Sequence, residues 1–452
     1  MFLLVAIGAA TACFFGLRGF DHPAAVAWTG AITTLCAVLW ISEAIPIPAT
    51  SMLPLALFPA VGVLTPAQVG QAYGSPTVLL VMAGFVLSAA MVHSGAHRRV
   101  ALSMVHLVGG GNSRRLVFGF MAAAALLSMW ISNAATSLML LPVALAVLQQ
   151  TRDPRLAVPL LLGLAYAANI GGLGTPIGTP ANLVFVQVYG NTTGIEIGFF
   201  EWMTWGVPIV LVFLPIIWLW LTRTLDYKGD IDLPETGVWR EDERRVLAVF
   251  FLTALAWMFR TQPFGGWSEL LDVPAVNDTS IALIAAVSLF VIPNGEGSKL
   301  LDWEAVSKIP WGILILLGSG FSIAGAFGES GLSAILGEAL SGLTVLPILL
   351  MTAGLCLTVT FMTELTSNTA TTALLMPVLA AAAMAVDIDP ILLMLPAALT
   401  ASCAFMLPTA TTPNGVAFST GRFPIKTMAY EGFVLNLLGV AVIAGACYLL
   451  LA

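Results

Sequence analysis

The chain has 452 residues, 59% of them hydrophobic and only 9% charged, with a net charge of −7. A soluble domain of that length needs far more surface charge, so a soluble enzyme or binding module is excluded. Apolar runs close to the roughly 20 residues that cross about 30 Å of hydrocarbon recur from end to end, as at 207–221, 281–292 with its flanks, and 432–451.

These runs predict an all-α polytopic membrane protein. The first run lacks the basic start and small-residue cleavage pattern of a signal peptide, so it is expected to remain as a helix. No soluble module is expected at either end, and no nucleic-acid partner. Cys13, Cys36, Cys356, Cys403 and Cys447 lie inside apolar runs without a CxxC pair, which predicts buried thiols and no disulfide framework or zinc site. The sequons at Asn191 and Asn277 are short patterns read as coincidental.

In chain order, the basic residues fall into clusters. Arg98, Arg99, Arg114 and Arg115 come first, followed by Arg152 and Arg155. Arg223, Lys228, Arg240, Arg244 and Arg245 follow, then Lys299 and Lys308, and last Arg422 and Lys426. The loops between them, around 64–75, 190–203, 261–278, 329–343 and 387–390, contain none. By the positive-inside rule the clusters are cytoplasmic, leaving only Arg18 and Arg260 outside. About eleven transmembrane helices result, with the N-terminus inside and the C-terminus outside.

The uncharged run 116–150 has basic residues on both flanks, so it enters and leaves on one side. It is too long for one crossing and short for two, so a re-entrant helical hairpin is predicted, with its tip at Met129, Ser132 and Asn133. The run 344–386 has no basic flank; its reading as a second re-entrant hairpin rests on symmetry with the first.

That symmetry is an internal repeat. Gly84-Phe85 matches Gly320-Phe321 and Ser94-Gly95 matches Ser330-Gly331, each 236 residues on. Ser132-Asn133 matches Ser367-Asn368, and Pro142 matches Pro377, at 235. Asp153-Pro154 matches Asp389-Pro390, and Gly178-Thr179-x-x-Asn182 matches Ala410-Thr411-x-x-Asn414 at 232. Five crossings separate the copies, and an odd number makes the repeats inverted. Inverted repeats with interrupted helices are the architecture of secondary transporters, with the site at the repeat interface.

Four polar clusters interrupt apolar sequence at matched places. Two are the tips, Ser128-x3-Ser132-Asn133-Ala134 and Thr363-x3-Ser367-Asn368-Thr369; two are helix breaks, at 172–182 (GLGTPIGTPAN) and 406–414 (MLPTATTPN). Gly and Pro free backbone groups, which at membrane depth are tolerated only where they line a polar cavity. Ser and Asn at the start of a helical arm add donors to the positive end of its dipole, which suits a carboxylate or sulfate. The hydroxyls and freed carbonyls of the same loops are hard ligands suited to Na+. Each half is thus expected to hold one cation, with the anion between them.

No Lys or Arg lies near either tip or break. A dianion there has no fixed positive partner, and co-bound cations are the simplest remedy. Carrying a dianion inward against an inside-negative potential costs roughly 4.6 kcal/mol per 100 mV, so more than two Na+ are needed for the potential to assist uptake. A single Ser-Asn before an apolar run is only a helix N-cap; its recurrence at matched positions, with a hydroxyl four residues earlier, points to a site. Glu364 beside the second tip could relay protons or hold a cation, or else lie at a wetter mouth. Glu43 is expected to cap a cytoplasmic turn. His93 and His97 share a helical face but lack the Glu of HExxH, so no metal centre is expected there. No nucleophile with a base, and no pair of acids, is arranged for an enzyme.

WISEAIPIPATSMLP, the SN(A/T) tips, GTPAN, TELTSNTATTALLMP and MLPTATTPN together resemble the divalent anion:sodium symporter family, which includes bacterial dicarboxylate transporters and animal citrate and sulfate carriers. The resemblance covers essentially the whole chain. It implies a homodimer in the bacterial inner membrane working by an elevator motion. Scaffold helices would occupy 1–110 and 226–340. The transport domain would occupy 111–225, with the first hairpin and interrupted helix, and 341–452, with the second pair and the last helix.

Carried over by position, the resemblance implies substrate contacts from Ser132, Asn133, Ser367, Asn368, Thr369 and Thr411. One Na+ would be held by Ser128, Ser132, Asn133 and the loop near Gly178, the other by Thr363, Ser367, Asn368 and the loop near Ala410. The expected activity is Na+-coupled import of C4 dicarboxylates such as succinate, malate or fumarate. A Na+-independent exchanger and a sulfate symporter are the alternatives within the fold. The chain departs from the family pattern at Ala134, usually Thr; at Thr412, where ATPPN is usual; and in GTPAN for GTPPN. These shift the hydroxyl pattern around the anion.

Overall fold

The computed structural model describes residues 2–108, 112–150, 153–225, 237–261, 265–340 and 347–451. These form helices joined by short connections, without a strand among the described residues. Nine of the described helices are long and apolar enough to cross a membrane, and four shorter apolar ones accompany them. Arg152 and Lys228 of the predicted cytoplasmic clusters lie outside the described residues, and the three proposed domain boundaries fall in or against segments outside them.

Local sequence explains the helix ends. Ser75 accepts from the Val78 N–H with Pro76 at the first helical position, opening Pro76–Ser94. Gly95 and Gly331, at φ +75° and +82°, end Pro76–Ser94 and Trp311–Ser330 in the left-handed conformation that favours glycine. Asp153 and Asp389 each accept from the N–H two residues on, Arg155 and Ile391, and so start the two interrupted helices alike.

The element order repeats as the matched residues require. Pro76–Ser94, the hairpin Ser113–Ser128 and Asn133–Gln150, the broken helix Ala157–Gly171 and Pro180–Thr193, and Phe199–Leu221 form one copy. Trp311–Ser330, Ile348–Thr363 and Asn368–Ala385, Ile391–Thr400 and Thr412–Phe418, and Ile425–Leu451 form the other. The hairpins turn at 129–132 and 364–367, where their tips were predicted.

The second break opens earlier than predicted. The helix stops after Thr400 and restarts at Thr412, so the non-helical stretch begins five residues ahead of Met406. The cause is a set of side-chain partners that replace helical bonds: Glu364 takes the N–H groups of Phe405, Met406 and Leu407, and Asn414 takes the carbonyls of Ala404 and Leu407.

One continuous apolar core packs both hairpins and both broken helices, and the first arm of the first broken helix is buried from Pro159 to Gly171. Buried Arg99 ion-pairs with Glu243 at 2.8 Å, donates to the Gly237 and Val238 carbonyls and stacks on Trp239. It thus ties Ala96–Val108 to Glu241–Met258. All five cysteines are free thiols; four are buried and Cys13 is half-buried.

Candidate functional site

Each break is held open by the same device. Asn182 Nδ2 donates to the Gly172 and Thr175 carbonyls at 2.9 and 2.8 Å, and Asn414 Nδ2 donates to the Ala404 and Leu407 carbonyls at 2.9 and 3.1 Å. Every atom of one set maps on the other 232 residues away. A buried carbonyl without its helical N–H would otherwise be an unmet acceptor, so the two asparagines convert a disrupted helix into a defined loop. The helix that ends each repeat supports that loop from behind. A Cβ on Gly206 would collide with the Leu173 carbonyl, and one on Gly432 with that of Phe405, again a matched pair of break residues. Trp202 Nε1 adds a bond to Leu173 O at 2.8 Å.

The tips close on themselves alike. Ser128 Oγ donates to Asn133 Oδ1 at 2.6 Å, and Thr363 Oγ1 donates to Asn368 Oδ1 at 2.7 Å. Ser128 and Thr363 are completely buried, one layer behind the tips. Around the first tip the loop backbone crowds in: a Cβ on Gly172 would lie 3.0 Å from Asn133 Oδ1 and 3.1 Å from Gly178 O. A hydroxyl, an amide oxygen and a freed carbonyl thus converge there, a donor set of hard oxygens fitted to Na+. In the second half Thr363 Oγ1 also lies 3.0 Å from the Ala401 carbonyl.

Both tips and both breaks border one cavity of about 590 Å³. Ser132, Asn133, Gly178, Ser367, Asn368, Thr369, Ala410 and Thr411 all line it, so every predicted site residue either faces the cavity or, like Ser128 and Thr363, bonds to one that does. Ala134 and Thr412, two of the departures from the family pattern, line it as well. Helices Asn133–Gln150, Pro180–Thr193 and Asn368–Ala385 start at its wall and bring the positive ends of their dipoles to it. Glu43, the residue in left-handed conformation that ends Ala24–Ser42, is the charged group in the lining, and it is negative. Among the described residues the wall holds no cationic side chain, which leaves dipoles, hydroxyls and amides to face an anion.

Glu364 is not at a wet mouth. It is 4% exposed and accepts from three successive N–H groups, of Phe405, Met406 and Leu407, at 2.7 to 3.0 Å, and from Asn436 Nδ2 at 2.8 Å. It therefore stitches the second tip to the second break and to the last helix. The matched residue of the first half is Met129, whose carbonyl accepts from the Thr175 hydroxyl. Within each half the tip is thus joined to the break, by a carboxylate in the second and by a backbone carbonyl in the first. His97 Nδ1 lies 2.7 Å from the Met91 carbonyl, a local contact.

Sequence reasoning missed Asn169, Asn436 and the stapling role of Asn182 and Asn414. Asn169 was visible as the polar residue in AYAANIGG, at the position matched by Ala401 in the other repeat. It is completely buried and lines the cavity.

A profile of the citrate transporter family (CitMHS) matches residues 37–398. The chain is 38% identical over 459 aligned residues to the sodium-dependent dicarboxylate transporter SdcS of Staphylococcus aureus strain USA300, covering 95% of this chain and 87% of that protein. Among solved structures it is similar to the YdaH transporter of Alcanivorax borkumensis, with TM-score 0.60 and 14% identity over 94% of this chain and 98% of that one. It is also similar to MtrF of Neisseria gonorrhoeae, titled among a class of antimetabolite efflux pumps, with TM-score 0.60 and 11% identity over 96% and 97%. At these identities the two structures bear on fold alone.

Proposed function

The chain belongs to the divalent anion:sodium symporter family, matches the citrate transporter profile and is a membrane transporter, not an enzyme; on that premise we propose that it imports small divalent anions coupled to Na+. The substrates we assign are C4 dicarboxylates: succinate, malate and fumarate. The relative named for sodium-dependent dicarboxylate transport supports this reading.

The observation that carries it is the cavity with two Ser-Asn tips, two stapled breaks and, among the described residues, no cationic side chain in the wall. Its size suits a small dianion. A dianion enters such a site with its charge compensated by ions that travel with it. Ser132, Asn133, Ser367, Asn368, Thr369 and Thr411 are assigned to the anion. Ser128, Ser132, Asn133 and Gly178 are assigned to one Na+, and Thr363, Ser367, Asn368 and Ala410 to the other. Both cations and anion are cargo.

The transport unit is assigned to 111–225 and 341–452, moving as an elevator against scaffold helices 1–110 and 226–340 of a homodimer. About eleven crossings place the N-terminus in the cytoplasm and the C-terminus outside a bacterial inner membrane. Close packing of each hairpin arm on its broken helix supports a single moving body.

Purified protein in liposomes, given labelled succinate with Na+ or choline outside at a clamped potential, tests the reading. Saturable accumulation with inward Na+ alone is expected. Uptake only into vesicles preloaded with dicarboxylate, whatever the cation, would overturn coupling, and Na+-driven uptake of labelled sulfate with none of labelled succinate would overturn the substrate.

A further inference from the structure

We propose that Asn169 is a positioning residue that reaches across from the first repeat and commits the Thr411 hydroxyl to donating a hydrogen bond to the anion. The inference deepens the dicarboxylate reading and rests on it.

The argument starts from Asn414, whose Nδ2 is engaged by the Ala404 and Leu407 carbonyls. The other end of that amide, Oδ1, is therefore an acceptor, and it lies 3.3 Å from Asn169 Nδ2. Two amide oxygens facing each other would repel, so this contact fixes which way round Asn169 sits. With Nδ2 so placed, Asn169 also donates to Thr411 Oγ1 at 3.0 Å. Thr411 Oγ1 accepts a second bond from the Asn414 N–H at 3.3 Å.

A threonine hydroxyl has two lone pairs and one proton. Both lone pairs of Thr411 are taken by donors, so what remains is the proton, which turns away from those donors. Among the described residues no side chain or carbonyl accepts it, and Thr411 lines the cavity, where it is half-buried. An acceptor in that cavity, such as a carboxylate oxygen, meets a hydroxyl with its donor already set. Without Asn169, Thr411 is free to turn and to spend its proton elsewhere.

The arrangement has no counterpart in the other half. Ala401 stands where Asn169 stands, and the Oδ1 of Asn182, the partner of Asn414 by symmetry, is buried and accepts nothing among the described residues. One break is thus ordered by a residue of the other repeat, and the anion site is asymmetric although the staples are not.

The test is succinate uptake at saturating Na+ in proteoliposomes, with N169A and N169D each made alone and in a T411V background. N169A is expected to raise the KM for succinate roughly tenfold, the worth of one hydrogen bond to a charged group, with kcat and elution profile preserved. N169D keeps the shape of the side chain but offers an acceptor to Thr411, and is expected to raise KM at least as far. In the T411V background N169A is expected to add nothing to KM. An unchanged KM in N169A, or an equal rise with and without the Thr411 hydroxyl, would overturn the inference while leaving the function intact. No succinate uptake by the unsubstituted protein would overturn both.

Discussion

Ser128 Oγ and Asn133 Oδ1 stand 2.6 Å apart, and the bond between them sets the polarity of the whole first tip. It turns the amide oxygen of Asn133 inward, to the side where the Gly172 and Gly178 backbone crowds in, and leaves the amide NH2 for the cavity that Asn133 lines. In the proposed function, one side chain would thereby offer an acceptor to a cation and a donor to an anion. The pair Thr363 and Asn368 repeats the relation in the second half.

Removing the rear hydroxyl should separate cation from anion effects. Ser128→Ala and Thr363→Val are each expected to raise the Na+ concentration for half-maximal uptake by roughly three- to tenfold, the loss of about 1 kcal/mol of ligation. Na+ activation curves at saturating succinate read this directly. If neither curve moves, the two tips do not hold cations.

Gly172→Ala tests the same seat from the backbone. Its new methyl would stand 3.0 Å from Asn133 Oδ1, closer than a carbon normally approaches, and would push the amide oxygen aside. A lower Na+ affinity of about tenfold with a normal elution profile is expected from activation curves. The second half already carries alanine at the matched position, Ala404, so Ala404→Gly should leave the Na+ requirement nearly unchanged.

Glu364→Gln keeps shape and loses charge. Three N–H groups and the Asn436 amide converge on its two oxygens, and a glutamine must present an NH2 to one of them. The opposed donors should cost at least about 2 kcal/mol and lower the unfolding temperature of the purified protein, with transport abolished. A stable, fully active Glu364→Gln protein would show that the carboxylate does not hold the tip to the break.

Asn414→Ala should be more damaging than Asn182→Ala. Each loses two buried bonds to carbonyls, about 1–3 kcal/mol of stability apiece, but Asn414 Oδ1 also accepts from Asn169, the residue that donates to Thr411. The unfolding temperature should therefore fall in both variants, and succinate KM should rise further in Asn414→Ala. Equal KM values would place Asn414 outside the anion's surroundings.

How much of this was readable from the residues follows from what each feature depends on. The hairpins and the repeat rest on local identity at fixed spacing, such as Ser-Asn after a hydroxyl or Ser-Gly at a helix end, so they survive in one dimension. Asn182 and Asn414 were visible as the last letters of two motifs, but their staples are bonds back to carbonyls seven and ten residues earlier and need the loop to exist first. Asn169 and Glu364 act on partners 242 and 41 or more residues away. Nothing in the neighbourhood of either residue announces those partners. The early start of the second break has the same origin, since 401–405 carries no Pro or Gly and takes side-chain partners from distant residues, Glu364, Asn414 and Thr363 among them.

Gly432 presses the last helix onto the Phe405 carbonyl, and Asn436, one turn further along, is tied to Glu364. Ile425–Leu451 is therefore clamped to the second break at two successive turns, and its 27 residues extend well beyond that clamp. Under the elevator reading proposed above, its far end would report the position of the proposed anion site at the surface. A spin label near that end, paired with one on Glu241–Met258, would turn the travel of a buried site into a distance between two accessible points, read with and without Na+ and succinate.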